Sequence, residues 1–194
     1  TNSDGAFGVY VDDMDDDGDL DIVIGSAFDD TIAWYENDGA ADPSWTKSAI
    51  DTSADGARNL HVGDMDGDGD LDIVAASAGD DTIAWYENDG AANPSWTKSV
   101  IDSSLDAALS VYPADLDGDG DLDIVSASAF DHTIAWYQNN GAADPSWSGT
   151  DITTSATGAR DVFVGDMDGD GDLDIVSASV DDDTLAWYEA DWTT

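Results

Sequence analysis

The stretch Asp64-Met65-Asp66-Gly67-Asp68-Gly69-Asp70-Leu71-Asp72-Ile73-Val74 occurs in four versions, beginning at Asp13, Asp64, Asp115 and Asp166 with a constant spacing of 51 residues. A period of that length marks one supersecondary unit repeated side by side, each copy burying the face its neighbour cannot bury alone. Within every copy, carboxylates fall at positions 1, 3, 5 and 9 of a short loop, with glycine at position 6. These are Asp13, Asp15, Asp17 and Asp21; Asp64, Asp66, Asp68 and Asp72; Asp115, Asp117, Asp119 and Asp123; and Asp166, Asp168, Asp170 and Asp174. Alternate side chains of such a loop turn inward, the carbonyl of position 7 adds an oxygen, and glycine permits the sharp turn, which is how a chain wraps a hard cation. Acidic turns are common, but four carboxylates within nine residues, in four copies, repel strongly unless a cation neutralises them. An all-oxygen ligand set favours calcium, about one ion per repeat. The loop is not an EF-hand: position 12 holds Ile24, Ala75, Ser126 or Ser177 in place of glutamate, and a β-type Asp-Ile-Val run follows.

One complete unit, 52–102, reads as four short strands. Arg58–Val62 leads into the acidic loop, Asp72–Ser77 follows it, a Gly79-Asp80-Asp81 turn precedes Thr82–Glu87, and a longer loop leads to Trp96–Ile101. The middle strands are apolar on both faces, as sheets covered on both sides by other sheets require. The two recurring tryptophans of each unit are expected between sheets. The chain is therefore predicted to be all-β, a single domain spanning 1–194 with repeats at 1–51, 52–102, 103–153 and 154–194. The last unit differs. Its third-strand Glu189 is separated from Trp192 by two residues, so the long loop is missing and a fourth strand begins just before Thr194. Such an unfinished edge invites a partner strand. The chain opens on Thr1 without a methionine or leader, and reads as a mature form or an excerpt.

These features resemble the calcium-binding FG-GAP or VCBS-type repeats, as in the integrin α-subunit propeller and many large secreted bacterial proteins. The Asp-x-Asp-x-Asp-Gly-x-x-Asp-Ile-Val element carries the resemblance across all four units. Phe7-Gly8 preserves the naming signature only in the first unit, and Gly25-Ser26-Ala27 lacks its proline. The resemblance implies a β-propeller with calcium on the loop between the first and second strands. It also implies that position 7 contributes through its main chain, here Asp19, Asp70, Asp121 and Asp172. With four units and a distinct last one, a four-bladed propeller is favoured, and part of a larger ring is the alternative.

Charge narrows the function. The 194 residues carry a formal net charge of -41, with 45 acidic residues against Lys47, Arg58, Lys98 and Arg160. No basic patch exists to offset nucleic-acid phosphates or an anionic membrane surface. No run of about 18 apolar residues offers a membrane span. Cysteine is absent, so no disulfide reports a compartment. Calcium loops of modest affinity suit the millimolar calcium outside cells, which places the chain extracellularly, secreted or at the cell surface. Catalysis is not expected. Neither His61 nor His132 recurs across the units, and the carboxylates repeat identically where a catalytic site is one asymmetric constellation. The expected role is that of a structural or adhesive module, a segment of a long secreted array or filament, whose partners are further copies joined end to end or another extracellular protein. A calcium-dependent glycan-binding propeller is the alternative.

Overall fold

The computed structural model describes residues 3–190. Every regular element in it is a strand: β1 Ala6–Asp12, β2 Asp21–Ser26, β3 Thr31–Asn37, β4 Trp45–Asp51, β5 Ala57–Gly63, β6 Asp72–Ser77, β7 Thr82–Asn88, β8 Trp96–Asp102, β9 Ala108–Ala114, β10 Asp123–Ser128, β11 Thr133–Asn139, β12 Trp147–Thr153, β13 Ala159–Gly165, β14 Asp174–Ser179 and β15 Thr184–Tyr188. They form antiparallel meanders in which each strand pairs with the next: β1-β2-β3-β4, β5-β6-β7-β8, β9-β10-β11-β12 and β13-β14-β15. The acidic loops are the β1–β2, β5–β6, β9–β10 and β13–β14 connections. The fourth strand expected at Trp192 lies outside the described residues.

The sheets pack face to face in chain order. The first interface holds Ile32 and Trp34 of one sheet against Ala57, Leu60, Val62, Ile73 and Tyr86 of the next. The second repeats it with Ile83 and Trp85 against Ala108, Val111, Ile124 and Tyr137, and the third with Ile134 and Trp136 against Ala159, Val162 and Ile175. This is why β6 and β10 are buried at every residue. Strands β1, β5, β9 and β13 contact one another in succession. Tyr10, His61, Tyr112 and Phe163 stand on them as a ladder of rings with centroids 5.5, 4.8 and 4.9 Å apart. His61 is thus a packed ring, and burial holds its pKa below the usual value. The fourth strands β4, β8 and β12 are largely open to solvent. The first tryptophan of each of the first three units lies between sheets, whereas the second, at Trp45, Trp96 and Trp147, stays partly exposed.

Polar links cross the same interfaces. Tyr86 Oη donates to Asp51 Oδ2 at 2.8 Å, and Tyr137 Oη to Asp102 Oδ2 at 2.9 Å. At the third interface the corresponding residue is Thr153. Asp30 accepts from Gly56 N and Asp81 from Ala107 N, while His132, which replaces the aspartate in the third unit, accepts from Gly158 N at 3.2 Å.

Among the described residues the four sheets do not close on themselves, so they give an all-β row of antiparallel sheets and leave the four-bladed propeller expected from sequence unconfirmed. The outer face of the first sheet leaves Val9 63% and Val11 50% exposed, and that of the last leaves Leu185 77% and Trp187 51% exposed.

Candidate metal centre

Each acidic loop is shaped by its own backbone before any ion is considered. The position-1 aspartate accepts N–H bonds from the far side of the loop: Asp64 Oδ1 from Gly67 N at 2.8 Å, and Asp64 Oδ2 from Gly69 N at 3.0 Å. Asp13, Asp115 and Asp166 do the same through Gly18, Gly120 and Gly171. The position-6 glycines Gly18, Gly69, Gly120 and Gly171 have φ between +95° and +103°. A Cβ at any of them would meet nothing, so backbone conformation and not crowding demands glycine there. Position 5 caps position 7, two residues on, as in Asp68 Oδ1 accepting from Asp70 N at 2.9 Å.

This folding brings carboxylates together. Oxygens of Asp13, Asp15 and Asp17 lie within 4.8 Å of one another, as do those of Asp64, Asp66 and Asp68, of Asp115, Asp117 and Asp119, and of Asp166, Asp168 and Asp174. The expected positions 1, 3 and 5 therefore converge in three repeats, and in the fourth Asp174 takes the place of Asp170. Burial, reinforced by the neighbouring Asp17 and Asp21, raises the Asp15 pKa. Asp66 is raised by burial and by Asp68, Asp64 and Glu87, against a backbone hydrogen bond from Asp68. Asp15 Oδ1 and Asp115 Oδ1 are buried with no hydrogen-bond partner among the described residues. Orphaned carboxylate oxygens beside other carboxylates fit a hard divalent cation, whose charge would reverse the repulsion.

Position 9 has a further task. Asp21, Asp72, Asp123 and Asp174 are buried, and each holds its loop shut: Asp72 Oδ2 accepts from Met65 N at 3.1 Å and Asp72 Oδ1 from Asn88 N at 2.8 Å. In the first and third repeats the core tryptophan joins, Trp34 Nε1 to Asp21 and Trp136 Nε1 to Asp123, both at 2.9 Å. Burial, outweighing these hydrogen bonds, pushes Asp72 up to about 7 and Asp123 to about 6. At position 7, the carboxylates of Asp19, Asp70 and Asp121 lie against Gly39, Gly90 and Gly141 of the long β3–β4, β7–β8 and β11–β12 loops, where a Cβ would collide with them.

The next-to-last residues of β3, β7 and β11 complete the neighbourhood, and they escaped the sequence reading. Glu36 and Glu87 act electrostatically on Asp15 and Asp66, whereas Gln138 Nε2 donates to Asp117 Oδ2 at 2.5 Å. Their signal was the acidic or amide residue recurring after every Trp-Tyr pair. The asparagine that follows links repeats: Asn88 Nδ2 donates to Met14 O at 3.1 Å and Asn139 Nδ2 to Met65 O at 2.8 Å. Each of the first two acidic loops is thereby braced by the next sheet.

Against known families, a model described as an FG-GAP-like repeat matches residues 13–75, 64–126 and 115–177. Each match runs from the first aspartate of one acidic loop into the strand that directly follows the next acidic loop. No curated protein matches the chain.

Proposed function

Because the chain belongs to the FG-GAP-like repeat family, we propose that its four sheets are consecutive blades of a calcium-stabilised extracellular β-propeller with a structural and adhesive role. The observation that carries this reading is the recurrence of a three-carboxylate cluster at the same turn of every repeat, with Asp15 and Asp115 each keeping a buried oxygen unpartnered. Asp13, Asp15 and Asp17 and their equivalents in the second and third repeats hold the ion, as Asp166 and Asp168 do in the fourth, and Asp19, Asp70, Asp121 and Asp172 add main-chain oxygens. Asp21, Asp72 and Asp123 shape the loops, and Asp174 joins its cluster directly. No helix among the described residues is long and apolar enough to cross a membrane.

The open faces supply the adhesive part. Leu185 and Trp187 are the repeat equivalents of Ile32 and Trp34, which pack on Leu60 and Val62; Val9 and Val11 are the equivalents of that leucine and valine. The last face of one copy therefore matches the first face of another. Such a contact is heterologous, and it closes a ring or propagates as a filament according to the rotation per copy.

Thermal melting with and without calcium tests the metal reading. At a free concentration of about 100 times Kd, each site adds roughly 2.7 kcal/mol, and four add on the order of 10 kcal/mol, comparable to the whole stability of a domain. Chelation with EGTA is expected to unfold the chain or lower its melting temperature by tens of degrees. An unchanged melting curve would refute it.

A further inference from the structure

At the sheet edge opposite the acidic loops, the first strand of every repeat carries a bulge, and the bulged residues are Phe7, Arg58, Leu109 and Arg160. Bulges re-aim side chains, often next to binding sites. Three of these residues, Arg58, Leu109 and Arg160, line one cavity of about 340 Å³ together with Phe28 and Phe130 from the β2–β3 and β10–β11 turns. That volume lies within the range of small-molecule sites. The lining alternates by repeat, with phenylalanine from the first and third units and arginine from the second and fourth.

The arginines are anomalous for this chain. Among 45 acidic residues, neither Arg58 nor Arg160 has a carboxylate within salt-bridge distance among the described residues. The guanidinium of Arg58 stands 4.2 Å from the Phe7 ring centroid, and its buried Nε has no hydrogen-bond partner. Phe28 and Phe130 are each 69% exposed, leaving apolar surface in water even though Phe28 meets the edge of Phe7.

We propose that this cavity binds a small organic carboxylate, its anionic group held by Arg58 and Arg160 and its apolar body against Phe28, Leu109 and Phe130. A guanidinium pair selects a carboxylate by charge-assisted hydrogen bonds. The field of a body charged -41 repels polyanions most, which leaves a singly charged ligand with an apolar body as the class that fits.

The test is ligand-detected and protein-detected NMR titration of the intact chain in calcium, with phenylacetate, its neutral amide phenylacetamide, and acetate as probes. Phenylacetate is expected to bind saturably with a millimolar Kd, and the amide and acetate at least about tenfold more weakly, the range of one charged hydrogen bond or one buried ring. Arg160→Gln, at an exposed position, and Arg58→Gln should each weaken phenylacetate by about tenfold while calcium affinity stays unchanged. Unchanged calcium affinity also separates this site from carboxylate binding at the acidic loops. Equal binding of acid and amide, parental affinity in either glutamine variant, or no saturable binding of phenylacetate would overturn the proposal.

Discussion

Thr82-Ile83-Ala84-Trp85-Tyr86 and Thr184-Leu185-Ala186-Trp187-Tyr188 differ by one conservative change, yet Trp85 is 2% exposed and Trp187 51%. The first segment has a following sheet to pack on, and the second has none among the described residues. The tyrosine hydrogen bonds differ for a separate reason, the Thr153 that replaces aspartate on the sheet preceding the last. Tyr86 Oη reaches across to Asp51 of the preceding sheet, whereas Tyr188 Oη contacts Ser177 of its own sheet at 3.3 Å. A nearly identical strand is therefore a core element at an interior interface and a sticky surface at an end. Apolar patterning specifies that a face is to be covered, but not by what.

The comparison breaks most visibly at the tryptophans. Trp85→Ala should cost about 3–5 kcal/mol, the usual range for emptying a buried aromatic site. Trp187→Ala should cost well under 1 kcal/mol in the monomer, because little packing is lost. It should instead abolish any end-to-end assembly seen by light scattering of the parent chain. Equal destabilisation of the two variants in denaturant melts would mean that the last face is covered in solution even at low concentration.

A smaller effect separates the acidic loops. The second loop is braced by Asn139 of the following sheet, whereas Asp166 and Asp168 of the fourth are exposed and no described sheet follows. Asp66→Ala should remove one calcium site and about 2–3 kcal/mol at saturating calcium. Asp168→Ala should remove the weakest site and correspondingly less. Calorimetric titration checks both, and a tightest-binding fourth site would contradict the bracing argument.

The smallest expected effect concerns the links between sheets. Burial works against ionising Asp51, but hydrogen bonds from Lys98, Ser53 and Tyr86 outweigh it and hold its pKa at about 2, below the ordinary 3.8. Its contribution is therefore complete above about pH 4 and is lost as pH falls toward about 2. Asp51→Asn should lower the melting temperature by a few degrees at pH 7, and the gap should close in acid. A gap that persists below pH 2 would assign the loss to packing and not to the carboxylate.

Much of this molecule was legible in its sequence because the relevant forces act over a few residues. The strands of the second unit lie within a residue or so of where alternation and turn chemistry put them, and the convergence of Asp64, Asp66 and Asp68 follows from loop spacing alone. The buried service of Asp72 was less visible, since its partners Met65 N and Asn88 N are set by the meander and not by the loop. Glu36, Glu87 and Gln138 were passed over because they lie one strand away from the carboxylates they face. The arginine pair left one trace: residues 58 and 160 occupy the same place in the repeat, two units apart.

By itself, then, the sequence determined an all-β chain of repeated meanders with a carboxylate cluster at one turn of each, because hairpin register and loop geometry are local properties. Only the tertiary structure decided which faces of neighbouring sheets meet, which faces stay bare at the two ends, and that Arg58 and Arg160 line one cavity. Those contacts join side chains from units at least 51 residues apart, which no local pattern brings together.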